Sequence, residues 1–189
     1  MVFTVQGVEV SEESRVFISL RVVEMLDGSE LTIPLHIING SEKGPVLGLF
    51  ACIHGTEYYS NRIIKRALEE VNVKDLKGTV LAVPVANPIA FAHGTRQTPE
   101  PPEETVDFSN LNRVFPGRRL THLFGSKEET DVSLTMRMAQ VITNEVVSRC
   151  THIIDFHGQR MGMALNKMLF NRASDEAMTL AKVFGLGVI

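Results

Sequence analysis

Apolar and more polar residues alternate at Val16, Ile18, Leu20 and Val22, and apolar character returns from Leu31 to Ile38 after Asp27-Gly28. A period of two with a turn pair in the middle predicts a β-hairpin over residues 15–38. After a loop at 39–45, the continuous apolar run Val46 to Ile53 reads as a strand covered on both faces, because such strands lose their alternation. The period then lengthens. Ile63, Ile64, Ala67, Leu68 and Val71 form one helical stripe in a helix from about Glu57, and Gly78 introduces a further strand over 79–85. Helical spacing resumes at Leu134, Met138, Val141, Ile142 and Val146, followed by strands at 152–156 and 168–170 and a helix from the N-cap Ser174 to about Phe184. Residues 87–130 are polar and proline-containing with little periodicity, and loops of that length in a compact domain are usually functional or disordered. Gly185 to Ile189 reads as a helix stop and the start of another buried strand, so a C-terminal remainder is expected to be missing.

A hairpin followed by alternating strands and helices predicts an α/β fold with a mostly parallel, mixed sheet flanked by helices. We expect one domain over residues 1–189, with 1–43 as the hairpin lead-in and 44–189 as the α/β core. Composition agrees: 189 residues, 44% hydrophobic and 22% charged, are ordinary for a globular protein with a true core. The net charge of −3 comes without a basic block, which removes the electrostatic case for nucleic acid. No apolar stretch reaches membrane-spanning length, and the first residues lack the basic flank and apolar core of a signal peptide, so a cytoplasmic protein is expected. Cys52 and Cys150 have neither zinc-knuckle spacing nor a disulfide framework and read as plain buried thiols.

Chemistry concentrates in two short motifs, His54-Gly55-Thr56-Glu57 and Asp155-Phe156-His157-Gly158. With 6 His and 16 Glu in the chain, a His-x-x-Glu spacing arises by chance roughly half a time, so the spacing alone decides nothing. Context decides more. Each motif follows an apolar strand, and strand ends at the carboxyl rim of an open sheet are where ligand-binding groups sit. Two His and one Glu meeting there would hold a zinc ion with one coordination position open. The alternatives are a helix N-terminal carboxylate for Glu57 and a satisfied strand-end histidine for His157. Asp155, two residues before His157 and on the same strand face, is either an acceptor that orients a ligand imidazole or a buried partner of an Arg. His36, His93, His122 and His152 have no such partner spacing.

Further residues carry a family resemblance. Gly44-Pro45, His54-Gly55-Thr56-Glu57, Pro84-Val85-Ala86-Asn87-Pro88 with Phe91 and Gly94-Thr95-Arg96, Leu111-Asn112-Arg113-Val114-Phe115-Pro116-Gly117 and Asp155-Phe156-His157 occur in order from Gly44 to Gly158. Together they resemble the succinylglutamate desuccinylase/aspartoacylase family of zinc deacylases, within the zinc carboxypeptidase-like (phosphorylase/hydrolase-like) hydrolases. The resemblance implies His54, Glu57 and His157 as ligands of one zinc per chain, and Asn112 and Arg113 as the holders of a substrate carboxylate. It implies Arg96 as the catalytic group that stabilises the oxyanion; Arg118 and Arg119 either substitute for it or are simply solvated. Asn87 and Asn110 are read as braces of the long loop, and Asp107 is left ambiguous. The implied substrate is a small N-acyl amino acid. A carboxypeptidase acting on peptides and a metal-binding relative without turnover are the alternatives. The general base of such enzymes, usually a Glu, is expected beyond Ile189; Glu100, Glu103 and Glu104 have no argued path to the metal. Oligomeric state is not readable from the chain.

Overall fold

A computed structural model describes residues 2–99, 109–115, 133–158, 167–168, 174–185 and 187–188. Asp107, Arg118, Arg119, Glu100, Glu103 and Glu104 lie outside the described residues. Residues 1–157 form one compact unit and residues 158–189 a second.

In the first unit, strands β1 (Phe3–Val5) and β2 (Val8–Val10) make a small antiparallel ribbon around a Gln6-Gly7 turn with both φ angles positive. The predicted hairpin follows as β3 (Ser14–Glu24) and β4 (Glu30–Asn39), paired antiparallel with a register shift between Arg21 and Val23. Next come β5 (Glu42–Ala51), helix α1 (Tyr58–Glu70), β6 (Lys77–Val83), helix α2 (Pro88–His93), helix α3 (Leu134–Glu145) and β7 (His152–Phe156). The sheet order is β3-β4-β6-β5-β7. The β3-β4 and β4-β6 pairings are antiparallel, and β6-β5 and β5-β7 are parallel. The sheet is therefore mixed and flanked by helices, as expected, with the hairpin joining it as two antiparallel members.

Alternation along β4 and β6 divides the core between two faces. Leu31, Ile33, Leu35 and Ile37 of β4, with Leu81 and Val83 of β6, bury one face against Met138, Ala139 and Ile142 of α3. Ile38, Val80 and Ala82, with Leu49 and Ala51 of β5, bury the other against Ile64 and Leu68 of α1. Met138, Ile142 and Ile64 are fully buried, and each contributes about 1.5–3 kcal/mol by leaving water. Asn39, buried at the β4 end, accepts from Thr79 Oγ1 at 3.0 Å across to β6 and donates to Val10 O at 3.1 Å, tying the ribbon to the sheet.

Several boundaries and positions differ from the sequence expectation. The expected loop at 39–45 is largely strand, because Glu42 already pairs with Lys77 ahead of a register shift before Val46. The same strand stops at Ala51 rather than Ile53, where Cys52 takes φ +53° and turns the chain out of the sheet. Ile63 is 49% exposed, off the buried stripe of α1. The non-periodic segment also contains α2, and its capping signals explain the helix: Asn87 Oδ1 accepts from Ala90 N at 3.0 Å, Pro88 opens the first turn, and Gly94 closes it at φ +63°.

In the second unit, Lys167–Met168 (β8) and Gly187–Val188 (β9) pair in parallel, and helix α4 (Asp175–Phe184) begins at Ser174, whose Oγ accepts from Ala177 N at 3.2 Å. Residues 169–170 of the expected strand lie outside the described residues. No helix among the described residues is long and apolar enough to cross a membrane.

Candidate metal centre

Parallel pairing of β5 and β7 places Ala51 opposite Phe156, so the chain leaves both strands at one rim, carrying His54 and His157 with it. Cys52, in its left-handed conformation, starts the turn that returns the chain as α1, with Glu57 at the helix N-cap. The Glu57 side chain does not cap the helix. Ser60 Oγ instead donates to Glu57 O at 2.6 Å and accepts from Cys52 N at 3.4 Å, joining the strand end to the first helical turn.

That junction frees the carboxylate to meet both histidines. Glu57 Oε1 lies 3.0 Å from His54 Nδ1 and Oε2 lies 3.0 Å from His157 Nδ1. One candidate ligand atom from each residue lies within 4.8 Å of the other two. His54 and Glu57 are 3% and 2% exposed, whereas His157 is 35% exposed. The carboxylate is therefore sealed from below and the group opens on the His157 side.

Each ring is held by its other nitrogen. His157 Nε2 lies 2.8 Å from Asp155 Oδ2, and His54 Nε2 lies 3.2 Å from Asn110 Oδ1. An ionised carboxylate only accepts, so His157 Nε2 carries a proton. A neutral ring would then turn the Nδ1 lone pair toward Glu57, and two acceptors 3.0 Å apart need a positive centre between them. Without a metal ion that centre is a second proton. The Asp155 hydrogen bond, followed by that of Glu57, raises His157 to about 10 against the opposing effect of burial. A divalent cation does the same work for both rings at once, and two imidazoles with one carboxylate are a donor set suited to zinc. The His-Glu-His cluster is thus compatible with a metal site.

Residues 96–98 and 109–110 are tied to this cluster by side-chain and backbone hydrogen bonds. Asn87 Nδ2 donates to Thr98 Oγ1 at 2.9 Å, Thr98 N donates to Ser109 O at 3.0 Å, and the next residue is Asn110. Arg96 reaches the cluster directly: Nη1 donates to Glu57 Oε1 at 2.9 Å, with 58% of the side chain exposed. Asn112 and Arg113 form a 3-10 turn (Leu111–Arg113) whose first N–H groups are capped by Asn110. Leu111 is fully buried, and Arg113 is exposed with Nη1 donating to Asn112 O at 3.3 Å. The structure thus brings His54, Glu57, His157, Asp155 and Arg96 into contact and links the Asn112-Arg113 turn to them through Asn110. Asp155 pairs with a histidine, not with an Arg. Cys52 is buried and Cys150 half-buried, both are free thiols, and burial pushes Cys150 up to about 11.

In the sequence Asn110 reads only as a brace, and Gly55 carries no role. Gly55 is demanded by space: a Cβ there would lie 2.1 Å from Ala90 C and 2.4 Å from Phe91 N. Its N–H donates to Arg96 O at 3.3 Å, which fixes the base of the Arg96 loop against the His54 turn. Its place between two candidate ligands was the available signal.

The catalytic-domain model of succinylglutamate desuccinylase/aspartoacylase matches residues 43–189. The N-alpha-acetyl-L-2,4-diaminobutyric acid deacetylase of Halomonas elongata is 29% identical over 125 residues, covering 66% of this chain and 31% of that protein. An aspartoacylase family protein from Mesorhizobium loti is 27% identical with a TM-score of 0.59, covering 76% of this chain and 40% of its own. The product-bound ectoine utilization protein EutE (DoeB) from Ruegeria pomeroyi is 26% identical with a TM-score of 0.57, covering 76% and 39%. Carboxypeptidase A from Helicoverpa armigera, 16% identical with a TM-score of 0.57, shares the fold over 89% of this chain and 47% of its own. The chain spans less than half the length of each of these relatives.

Proposed function

Because the chain belongs to the succinylglutamate desuccinylase/aspartoacylase catalytic-domain family, we propose that it forms the metal-binding part of a zinc-dependent hydrolase that cleaves the amide bond of a small N-acyl amino acid. The observation that carries this reading is Glu57 held 3.0 Å from Nδ1 of both His54 and His157, at the end of two parallel strands. His54, Glu57 and His157 would hold one zinc. When bound, it supplies a Lewis acid for the amide carbonyl and a water acidic enough to attack near neutral pH.

The chain's own residues orient the site and bind the substrate. Asp155 holds the exposed ligand ring in place through Nε2. Arg96, with its guanidinium at the open side, is set to stabilise the negative charge that grows on the carbonyl oxygen as the amide is attacked. Asn112 and Arg113 bind the carboxylate of the amino-acid half, a task to which a planar guanidinium brings two parallel donors. The deacetylase relative acts, by its name, on an N-acetylated diamino acid, and a substrate of that class fits a site with a cation beside the reacting carbonyl.

The test is release of free amine from a panel of N-acyl amino acids, including N-α-acetyl-L-2,4-diaminobutyrate, beside blocked dipeptides. The reading expects zinc-dependent hydrolysis of the small N-acyl amino acids, abolished in His157→Ala. Hydrolysis of the dipeptides in preference to them, or turnover unaffected by the substitution, would refute it.

A further inference from the structure

We propose that Asn39-Gly40 is a modification site that the fold holds closed: when the end of β4 opens, the Gly40 nitrogen attacks the Asn39 side-chain amide, and the deamidated product cannot take Asn39's place in the sheet. This is the one Asn-Gly pair in the sequence, and glycine, having no Cβ, leaves the approach of its nitrogen to the preceding side chain unhindered. Both members are fixed by the fold. A Cβ on Gly40 would lie 2.1 Å from Leu76 O and 2.7 Å from Leu76 C, so only glycine fits there. Asn39 is 6% exposed; its Nδ2 donates to Val10 O and Ser11 O, both at 3.1 Å, and its Oδ1 accepts from Thr79 Oγ1 at 3.0 Å. Among side chains of this length, only the neutral amide carries two donors and a carbonyl acceptor.

The same bonds keep the pair unreactive. Cyclisation needs Gly40 N without its proton and within bonding reach of Asn39 Cγ. In the folded chain Gly40 N donates to Gly78 O at 2.9 Å, and the bonds on the amide hold Asn39 where β4 pairs with β3 at Ser14 and with β6 at Thr79. Once the segment opens, Gly40 N gives its proton to hydroxide and its electron pair forms a bond to Asn39 Cγ. The Cγ–Nδ2 bond breaks, and ammonia leaves with a proton from water. Water then opens the five-membered imide, at Cγ to give aspartate or at the Asn39 main-chain carbonyl to give isoaspartate. An ionised aspartate only accepts, so it would set a buried negative charge against Val10 O and Ser11 O with no donor for either. Isoaspartate adds a methylene to the main chain and disrupts the pairings with Ser14 and Thr79. Either product removes the tie that Asn39 makes between the end of β2 and the sheet.

The test incubates the full chain in mildly alkaline buffer with and without guanidinium chloride. Peptide mass spectrometry locates the mass gain of deamidation, and enzymatic methylation reports isoaspartate. Asn39 is expected to be the first asparagine to react in denaturant, and to react at least about 10³-fold more slowly in the native chain, since unfolded fractions of stable proteins are about 10⁻³–10⁻⁶. Chain aged in denaturant is expected to lose refolding yield in step with the reaction at Asn39, and fresh Asn39→Asp to refold poorly or with a lowered Tm. Comparable rates at Asn39 in native and denatured chain, or earlier reaction at another asparagine in denaturant, would overturn the site. Deamidated chain or Asn39→Asp that refolds fully with the wild-type Tm would overturn the claim that the product cannot replace Asn39.

Discussion

Replacing Gly55 by Ala adds one methyl group at a place where the backbone of α2 already sits. The added Cβ would lie 2.1 Å from Ala90 C, 2.3 Å from Ala90 O and 2.4 Å from Phe91 N, against an ordinary contact of 3.4–4 Å. The required retreat is at least the difference 3.4 − 2.1, or about 1.3 Å, and no side-chain rotation can supply it because the obstructing atoms are backbone. Either α2 moves, with its Asn87 cap and the Thr98 link, or the His54-to-Glu57 turn moves. Overpacking of this kind costs about 1–3 kcal/mol, and for a chain of 189 residues each kcal/mol lowers Tm by about 2–4 °C. A Tm roughly 2–12 °C lower is therefore expected by calorimetry. Metal sites tolerate ligand displacements of only about 0.2 Å, so zinc affinity should fall more than stability does. A Gly55→Ala variant with wild-type Tm and wild-type zinc affinity would refute the argument that backbone contact between the ligand turn and α2 sets the site.

Two other predictions concern titratable groups. In the metal-free chain His157 titrates at about 10, against 6.5 for a free imidazole. A raised folded-state value adds stability that is fully present below pH 6.5 and is lost as pH rises toward 10. Chelator-treated chain should show a urea midpoint that falls across that window and flattens in His157→Gln; an equal slope in both would exclude His157 as its source. Burial raises both thiols, Cys150 to about 11, so native chain at about pH 8 should react slowly with a disulfide reagent and quickly in denaturant. Rapid reaction of either thiol in the native state would contradict its packing.

Much of this architecture is legible in the residues themselves. The hairpin follows from alternation and Asp27-Gly28, β7 and α3 from their apolar spacing, and the meeting of His54 with His157 from two apolar runs that each end on a histidine. What escapes local reading depends on distant partners or on single dihedrals. Glu42 is strand because Lys77 pairs with it, and Cys52 ends the strand through a left-handed φ that its residue type does not announce. Helix α2 spans six residues, too few for periodicity, although Asn87, Pro88 and Gly94 mark both its ends. Asn110 lies 56 residues from His54, and Gly55 is constrained by α2, so the contacts that define both exist only in the folded chain.

The central claim is that two strand ends a hundred residues apart build one metal centre. Its most direct test is the zinc content of the purified full chain and of His157→Ala, by elemental analysis after dialysis without chelator. The account predicts about one zinc per chain in the wild type, as a three-ligand site requires, and its loss in the variant. Zinc absent from both after incubation with the metal, or retained equally in both, would contradict it.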